Sequence, residues 1–138
     1  MSKDPKDQFN AQAEFYANSK VHSSGQNLEL ISDYLENKSF DLSLDIATGT
    51  GFTAFESSKV SKRVLALDIA KEMINQAKNL AKEKRITNIQ FVIASADNLP
   101  YKNNYFDLIT CRTGTHHFGN FEKSLIEMHR TLKDNGTL

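Results

Sequence analysis

Short apolar segments alternate with amphipathic segments along most of the chain. Four of the apolar segments are rich in β-forming residues and predict strands. In the segments beside them, apolar residues recur at helical spacing and predict helices. The predicted strands are 42–47, 63–68, 89–94 and 106–111, and the predicted helices are 25–36, 51–60, 70–84 and 121–132. The first 24 residues are polar with scattered aromatic side chains, which is typical of an arm or short helix that folds over other parts of a protein.

Two of the predicted helices have a clear apolar face, and we expect each face to pack against a sheet. In helix 70–84 the face is formed by Met73, Ala77, Leu80 and Ala81. In helix 121–132 it is formed by Phe121, Leu125, Met128 and Leu132. Asn120 can cap this last helix, and the DNG segment at 134–136 can end it.

The alternation of strands and helices predicts βαβ units. The strands are apolar throughout rather than at alternate positions, which is typical of strands covered on both faces. The sequence therefore predicts an α/β fold, with a doubly wound and mostly parallel sheet in a three-layer αβα arrangement. In such sheets ligands bind at the carboxyl ends of the strands, near the point where the strand order reverses. The residues that follow each strand are therefore the candidates for function.

Length and composition fit one domain over 1–138, with an arm at 1–24 and a core at 25–138. Hydrophobic residues make up 39% of the chain, which is enough for one ordinary core. Basic and acidic residues balance at 17 each without long runs of like charge, which argues against a nucleic-acid partner. A single cysteine, no apolar signal segment and no apolar stretch of roughly 20 residues predict a cytoplasmic protein without integral membrane association.

The segment LDIATGTGFTA, at 44–54, joins the first predicted strand to a helix through two glycines. Glycines at this place make a tight turn and let the backbone approach a ligand closely. Gly49, Gly51 and Ala54 match the dinucleotide pattern G-x-G-x-x-A, and Asp68 lies 17 residues after Gly51, at the end of the second strand. An acid there is placed to accept hydrogen bonds from ribose hydroxyls. The alternative is that the glycines only form a turn and that Asp68 is a surface acid.

Two ligands fit this arrangement: a dinucleotide such as NAD, and S-adenosylmethionine (SAM). The difference between them lies at Asp45. A dinucleotide brings a pyrophosphate to the turn, which a carboxylate at the strand end would repel, whereas SAM has an ammonium group there and no phosphate. Asp45 therefore favours SAM, unless its side chain faces the helix and accepts from backbone donors.

The segment ASADNLPYKNNYFDLI, after the third strand, has the groups that an adenine ring requires. The Asp97 carboxylate can accept from the adenine amino group, and the backbone of 96–98 can donate to a ring nitrogen. Ile69 and Leu99 can form the apolar flanks. The alternative is a simple turn whose shape Pro100 fixes.

Together these segments resemble the class I SAM-dependent methyltransferases, most closely the type 11 domain group that includes the ubiquinone and menaquinone biosynthesis C-methyltransferases. The matching segments are LDIATGTGFTA, VLALDIAKEMINQAK, FVIASADNLPYKNNYFDLITCR, HHF and EMHRTLKDNGTL, in family-like order and spacing. The opening segment DQFNAQAEFYANSKVHSSG also resembles the arm before the first helix in this group. The resemblance implies a Rossmann-like fold, SAM as cofactor and S-adenosylhomocysteine (SAH) as product.

The resemblance also implies roles for residues of this sequence. Asp45 and the turn residues hold the methionine part of SAM, and Asp68 accepts from the ribose hydroxyls, with Ile69 beside the adenine. The turn residues are Ala47, Thr48, Gly49, Thr50 and Gly51. The residues implied for the adenine edge are Ala96, Asp97 and Asn98, and Arg112 is implied near the methionine end.

The chain departs from the family pattern at several places. Ala47 stands where many members have a first glycine, Ala70 where serine or threonine often caps the second helix, and KDNG where KPGG is commoner. Members continue from GTL into a fifth strand and further elements, whereas this chain stops as that strand begins. The resemblance therefore predicts that the C-terminal strands are missing or incomplete, and the uncovered sheet edge predicts self-association as a homo-oligomer.

Methyl transfer requires an in-line approach of the methyl group and its acceptor in a site that excludes water. A base matters when the acceptor must lose a proton. His116 and His117 follow the fourth strand, where an acceptor would dock, and His117 is the candidate catalytic residue; loop packing is the alternative. No metal site is expected, since adjacent histidines point apart and no carboxylate or cysteine lies at ligand spacing.

The main hypothesis is a SAM-dependent methyltransferase that methylates carbon or oxygen of a small molecule, such as a quinone precursor. Two alternatives stay open. One is a SAM-binding module without catalysis, suggested by the missing C-terminal elements. The other is an NAD-dependent oxidoreductase, suggested by the glycine pattern together with Asp68.

Overall fold

The computed structural model describes residues 26–112 and 119–138, which form four helices and five strands. The helices are α1 (Gln26–Leu35), α2 (Phe52–Ser58), α3 (Lys71–Glu83) and α4 (Phe121–Thr131). The strands are β1 (Phe40–Ile46), β2 (Ser61–Asp68), β3 (Ile89–Ile93), β4 (Phe106–Thr110) and β5 (Leu132–Thr137). The predicted arm at 1–24 and the two adjacent histidines, His116 and His117, lie outside the described residues.

The five strands form one sheet in the order β3-β2-β1-β4-β5, and each neighbouring pair is parallel. The chain moves outward from β1 to β3, then crosses back to β4 and continues to β5. The strand order therefore reverses between β1 and β4, where a parallel sheet opens a crevice at its carboxyl edge. This topology confirms the predicted α/β fold and its parallel sheet.

Right-handed crossovers place the connections on opposite faces of the sheet. On one face α1, α2 and α3 supply apolar side chains; this cluster includes Leu28, Phe52, Phe55 and Ala81, while Ala54 packs with Val64 and Ala66 of β2. On the other face Met128 of α4 and Leu99 of the β3–β4 connection pack against Leu44 and Ile46 of β1. Both faces are covered, as the predicted three-layer arrangement requires.

The predicted strands all form, and their bounds differ from the prediction by one or two residues. β1 and β2 each begin two residues earlier than their apolar segments, because Phe40 pairs with Ser61 and extends the ladder into polar sequence. The predicted cap of α4 is confirmed: the Asn120 side chain accepts a hydrogen bond of 3.0 Å from the Lys123 N–H.

The predicted apolar face of the last helix is correct for Met128, which is buried, and for Leu132, which packs against the same core, but wrong for its other two residues. Phe121 and Leu125 are 49% and 41% exposed, and the buried side chains of α4 are those of Ser124, Met128 and Thr131. The two buried hydroxyls bond to the helix's own carbonyls, Ser124 Oγ to Asn120 O at 3.0 Å and Thr131 Oγ1 to Glu127 O at 2.9 Å. The helix can therefore pack through short polar side chains, a pattern that a search for large apolar residues misses.

The sequence predicted that the DNG segment at 134–136 ends α4, and this prediction is wrong. The helix ends at Thr131, and Leu132 already has the extended backbone of β5. Leu132 pairs with Phe106 and Thr137 with Leu108, so the residues at 133–136 form an irregular bulge within β5. The strand at which the chain was expected to stop is thus formed and paired with β4.

Candidate functional site

Asp45 lies at the end of β1 and is almost completely buried, at 1% exposure. Both of its carboxylate oxygens accept hydrogen bonds from threonine hydroxyls. Thr48 Oγ1 donates to Oδ2 at 2.6 Å from the loop after β1, and Thr110 Oγ1 donates to Oδ1 at 2.7 Å from the end of β4. Thr110 is also the residue that faces Asp45 in the β1–β4 register. Asp45 therefore joins the two strands between which the strand order reverses.

Burial raises the pKa of Asp45 from 3.8 to about 6, although the bonds from Thr48 and Thr110 and the charge of Arg112 act against this rise. Arg112 lies two residues after the end of β4 and is half-buried, and its Nε donates to Thr53 Oγ1 of α2 at 3.0 Å. Desolvation lowers the pKa of Arg112, and the charge of Asp45 opposes this lowering. The end of β1 thus has a carboxylate with little solvation, adjacent to a guanidinium group.

The loop from Ala47 to Gly51 takes a left-handed backbone at three positions. The φ angles are 54° at Ala47, 56° at Gly49 and 97° at Gly51. The Thr48 N–H bonds to Leu67 O of β2 at 2.9 Å, which holds the loop against the neighbouring strand. Ala47 therefore stands at a conformation that favours glycine, which gives a physical reason for the family's usual residue there.

The two glycines of the loop have different surroundings. A Cβ on Gly51 would lie 3.0 Å from the Phe55 ring and 3.3 Å from the Ala77 Cβ, so Gly51 permits close packing of the loop on α2 and α3. A Cβ on Gly49 would meet nothing within 4 Å. The Gly49 backbone thus borders open space, and it is the place where a ligand can approach the main chain.

Asp68, at the end of β2, connects the tips of the strands. Its Oδ2 accepts from the Gly49 N–H and its Oδ1 from the Ala70 N–H, each at 2.9 Å. The side chain is 7% exposed, and burial raises its pKa. The Ile69 backbone also bonds to this carboxylate, so of its about four lone-pair positions one remains for a donor that enters from the crevice. Ala70 itself places no capping side chain on α3, as its departure from the family pattern predicted.

The tip of β3 continues this arrangement. The Ala94 N–H bonds to Asp68 O at 3.1 Å, and the Ser95 hydroxyl donates to the Asp97 carboxylate. Asp97 is partly exposed, whereas Ala96 is buried in the core. The predicted adenine-edge residues therefore follow directly from a strand tip that is hydrogen-bonded to Asp68.

The structure places the predicted cofactor residues at the carboxyl ends of β1, β2, β3 and β4. Within this group, Asp45 and the loop lie at β1, Asp68 and Ile69 at β2, 96–98 after β3 and Arg112 after β4. Among the described residues, no three His, Cys, Asp or Glu side chains are grouped to hold a metal ion. His117, the predicted catalytic residue, lies outside those residues and stays a prediction.

Sequence reasoning missed two threonines of the site. Thr110 binds Asp45, and Thr53 binds Arg112. Thr110 was detectable in principle, because it ends the apolar run of the fourth strand and the ends of parallel strands meet at one edge. Thr53 lies in a helix after the glycine turn, and nothing in its sequence position indicates that it contacts an arginine 59 residues later.

Comparison with known proteins shows the family to which this chain belongs. Residues 44–138 match the family model of the methyltransferase domain. The chain is 36% identical over 128 residues to the uncharacterized methyltransferase YcgJ of Bacillus subtilis, covering 93% of this chain and 51% of that protein. It is 40% identical over 98 residues to the ubiquinone/menaquinone biosynthesis C-methyltransferase UbiE of Brucella canis, covering 68% of this chain and 36% of the relative. The chain thus spans about half or less of the length of these curated relatives.

Solved structures agree with the fold. The crystal structure of Bacillus subtilis YcgJ superposes with a TM-score of 0.75 at 35% identity, covering 80% of this chain and 47% of that one. The structure of a putative SAM-dependent methyltransferase from Methanococcus maripaludis superposes with a TM-score of 0.84 at 24% identity, covering 99% of this chain and 65% of that chain. At this identity the match supports the fold alone. No helix within 26–112 or 119–138 is long and apolar enough to cross a membrane. The chain belongs to the methyltransferase-domain family of class I SAM-dependent methyltransferases.

Proposed function

We propose that this chain binds SAM at the carboxyl edge of its sheet and transfers the methyl group to carbon or oxygen of a small molecule. One observation carries the proposal. Two buried carboxylates, Asp45 and Asp68, lie at adjacent strand tips beside the open backbone of Gly49. This combination suits a ligand with a cationic amino-acid end and a ribose, and SAM has both.

In this proposal each strand tip binds one part of SAM. Asp45 and the loop from Ala47 to Gly51 bind the methionine end, where the ammonium group compensates the charge of Asp45. Asp68 uses its remaining acceptor position for a ribose hydroxyl. The adenine ring lies between Ile69 and the 96–98 segment, and Arg112 pairs with the carboxylate of the methionine end.

The carboxylates also favour SAM over NAD. Asp45 and Asp68 are close enough that the charge of Asp68 contributes to the raised pKa of Asp45. A pyrophosphate at the Gly49 backbone would add two negative charges beside carboxylates that are already poorly solvated. A cationic group there has the opposite effect, because it stabilises the ionised form of Asp45.

When bound, SAM supplies a sulfonium methyl group, which the acceptor atom attacks in line while the sulfur keeps the electron pair of the broken bond. The described residues contribute by position and charge. The strand tips are joined to each other through Asp45 and Asp68, so they form a rigid support, and positioning of the reactants is the main source of acceleration in such reactions. We place His117 at the acceptor side, where it orients the acceptor or takes its proton.

The surroundings of the reaction are part of the same proposal. In this proposal the acceptor is a small molecule, in keeping with the balanced charge of the chain, and the single cysteine, Cys111, is consistent with a reducing compartment such as the cytoplasm. The chain spans about half of the length of YcgJ. We therefore also propose, as a separate point, that these 138 residues alone catalyse methyl transfer.

Calorimetric titration with SAH tests the binding site. We expect SAH to bind the wild-type chain and NAD to leave the titration unchanged. Asp68→Asn should weaken SAH binding by about tenfold or more, because the amide replaces one acceptor oxygen by a donor that faces a backbone N–H. The matched control is Asp41→Asn: Asp41 is 71% exposed at the start of β1, where it pairs with Lys62.

Absence of SAH binding, or equal affinities of wild type and Asp68→Asn, would contradict the proposed site, and displacement of SAH by NAD would favour an oxidoreductase. Methyl transfer is tested separately, with methyl-labelled SAM and a panel of phenols, quinols and carbon acids. Transfer to any acceptor would exclude a SAM-binding module without catalysis.

A further inference from the structure

The connection between β3 and β4 crosses the sheet without a regular helix. It spans 94–105 and runs from the edge strand β3, past β2 and β1, to β4. Backbone N–H and C=O groups in such a segment have no ladder or helix to bond to, and unpaired ones are costly when they are buried. Leu99, in the middle of the connection, is buried at 3% exposure. Its backbone groups therefore require partners from another element.

Two side chains of α4 provide these partners. Glu127 Oε1 accepts from the Leu99 N–H at 2.9 Å, and Arg130 Nη2 donates to Leu99 O at 3.0 Å. Arg130 Nη1 also donates to Tyr101 O at 2.7 Å. Both backbone groups of Leu99 are thus bonded by residues one helical turn apart on α4.

The two side chains also bond to each other through two contacts. Arg130 Nε donates to Glu127 Oε2 at 2.5 Å, and Arg130 Nη2 donates to Glu127 Oε1 at 3.1 Å. The bond from Arg130 lowers the pKa of Glu127, so the pair stays ionised at neutral pH. The planar guanidinium group holds a fixed geometry that a lysine cannot reproduce. Glu127 and Arg130 therefore form one rigid unit against the connection.

Leu99, the residue that this unit holds, is close in sequence to the predicted adenine edge. Leu99 lies two residues after Asp97, and Asp97 is otherwise bonded to Ser95, within its own short segment. The β3 end of the connection is fixed by the bond from the Ala94 N–H to Asp68 O. The 96–98 segment is thus held by hydrogen bonds on both sides, at the tip of β3 before it and at the Glu127–Arg130 unit after it.

We infer that Glu127 and Arg130 are a positioning pair for the 96–98 segment and set the preference of the site for adenine over other purine bases. The inference rests on the proposed SAM site. Neither residue contacts the ligand. The pair fixes the Asp97 acceptor and the neighbouring N–H groups at the distances that the amino group and ring nitrogen of adenine require, and small displacements of such groups are costly in binding and catalysis.

The pair affects recognition of the base alone, because different strands of the sheet contact different parts of the ligand. Ribose and methionine contacts come from β1, β2 and β4, whose tips are bonded to each other through Asp45 and Asp68. Loss of the pair should therefore weaken recognition of the base and leave the other contacts in place. A purely structural role would lower stability and affect all analogues equally.

The test compares SAH with S-inosylhomocysteine, in which hypoxanthine replaces adenine and a carbonyl oxygen replaces the amino group. We expect the wild-type chain to prefer SAH by roughly 10- to 100-fold, since the carbonyl oxygen would face the Asp97 carboxylate. In Arg130→Met this ratio should fall below about 3, chiefly through weaker SAH binding, with an intermediate value for Arg130→Lys, which keeps the charge but loses the fork. Dissociation constants are measured by calorimetry.

The matched control is Lys133→Met. Lys133 Nζ pairs with Asp107 Oδ1 at 2.9 Å between β5 and β4, and neither residue belongs to the 94–105 connection, so breaking this pair should leave the ratio unchanged. Thermal unfolding checks that each variant is folded. If Arg130→Met does not fold, Arg130→Lys and Glu127→Gln provide the comparison, because Glu127→Gln keeps an acceptor for the Leu99 N–H but loses the ion pair.

The outcomes separate this inference from the proposed function. If wild type does not bind SAH, the SAM site is rejected, and the positioning role with it. If wild type binds SAH but does not discriminate against S-inosylhomocysteine, or if the Arg130 variants keep the wild-type ratio, the positioning role alone is overturned. A drop in the ratio confined to the Glu127 and Arg130 variants supports it.

Discussion

Asp45 is held at the end of β1 by two threonine hydroxyls, and its charge has little contact with water. A carboxylate in this position costs stability in the ligand-free protein, because desolvation is only partly offset by two neutral hydrogen bonds. Functional sites often contain such groups, since a ligand of the opposite charge recovers the lost solvation. The raised pKa of Asp45 therefore makes testable predictions about pH.

We predict that the ligand-free chain becomes less stable as the pH rises from 4 to 7. The folded pKa of about 6 lies above 3.8, so the folded state binds more protons in this window, and stability present below pH 3.8 is lost as the pH passes 6. The difference corresponds to at most about 3 kcal/mol. Urea unfolding at several pH values measures it. Asp45→Asn should flatten the profile, leaving the contribution of Asp68 in the same direction and those of Asp107 and Glu127, whose lowered pKa values act in the opposite direction; an unchanged slope would contradict this origin.

The affinity for SAH should change with pH in the opposite direction. The ammonium group of SAH favours the ionised form of Asp45, so binding should weaken as the pH falls below about 6, by at most about tenfold for each pH unit. Calorimetric titrations between pH 5 and 7.5 test this, with Asp41→Asn as the control. Opposite trends of stability and affinity would distinguish a ligand-binding carboxylate from one that only supports the fold.

At the scale of elements, the loop between β1 and α2 combines two requirements in five residues. Gly51 permits the loop to pack on Phe55 and Ala77, and Gly49 presents its backbone to open space. Both glycines have φ angles in the left-handed region, so an alanine at either position is strained. The two positions nevertheless make different contacts, and the same substitution should have different consequences.

We predict that Gly51→Ala mainly lowers stability and Gly49→Ala mainly lowers ligand affinity. Backbone strain should cost roughly 1–2 kcal/mol at each position, and the contacts at 3.0 and 3.3 Å should add about 1–3 kcal/mol for Gly51→Ala. Gly49→Ala should weaken SAH binding by about tenfold or more, since its methyl group occupies the space that the ligand needs. Urea unfolding and calorimetry on both variants provide the comparison. Equal losses of affinity in folded Gly49→Ala and Gly51→Ala would contradict a ligand at Gly49.

The helix α4 shows how the bounds of an element can be predicted while its buried face is predicted only in part. Its bounds and its Asn120 cap were predictable, because capping and periodicity are local properties of the chain. Its buried face was predicted at Met128 but not at Ser124 and Thr131, which satisfy their hydroxyls within the helix and pack where large side chains were expected. The side of a helix that meets the sheet depends on the connections that bring it there.

At the scale of the whole molecule, β5 is one of the two outer strands of the described sheet, and apolar side chains are exposed on α4 and after β5. Phe121, Leu125, Ile126 and Leu138 are between 41% and 64% exposed. An edge strand with exposed apolar neighbours favours pairing with another chain.

We predict that the 138-residue chain associates with itself at micromolar to millimolar concentration. Leu125→Lys should shift it towards the monomer, because a charge on the exposed face of α4 opposes burial of that face. The control is Leu30→Lys, at a 60% exposed position of α1 on the opposite side of the sheet. Sedimentation velocity at several concentrations measures the effect. A monomeric wild type, or equal effects of the two substitutions, would show that this edge is not the interface.

The family follows from local sequence. The apolar strands, the glycine turn and the acids at the strand ends are contiguous patterns, and the order of strands and helices restricts the topology to a parallel sheet. Asp45, Gly49 and Asp68 were therefore predictable from the sequence as candidate site residues, because the ends of parallel strands meet at one edge.

Only the tertiary structure decided which groups meet across long separations in the chain. The bond of Thr110 to Asp45 joins residues 65 apart, and the bonds of Glu127 and Arg130 to Leu99 join residues 28 and 31 apart. The burial that raises the pKa of Asp45 is also a property of the packed sheet. Local patterns fix which elements form because backbone preferences and periodicity act over a few residues, whereas the partners of a buried polar group depend on how all the elements pack together.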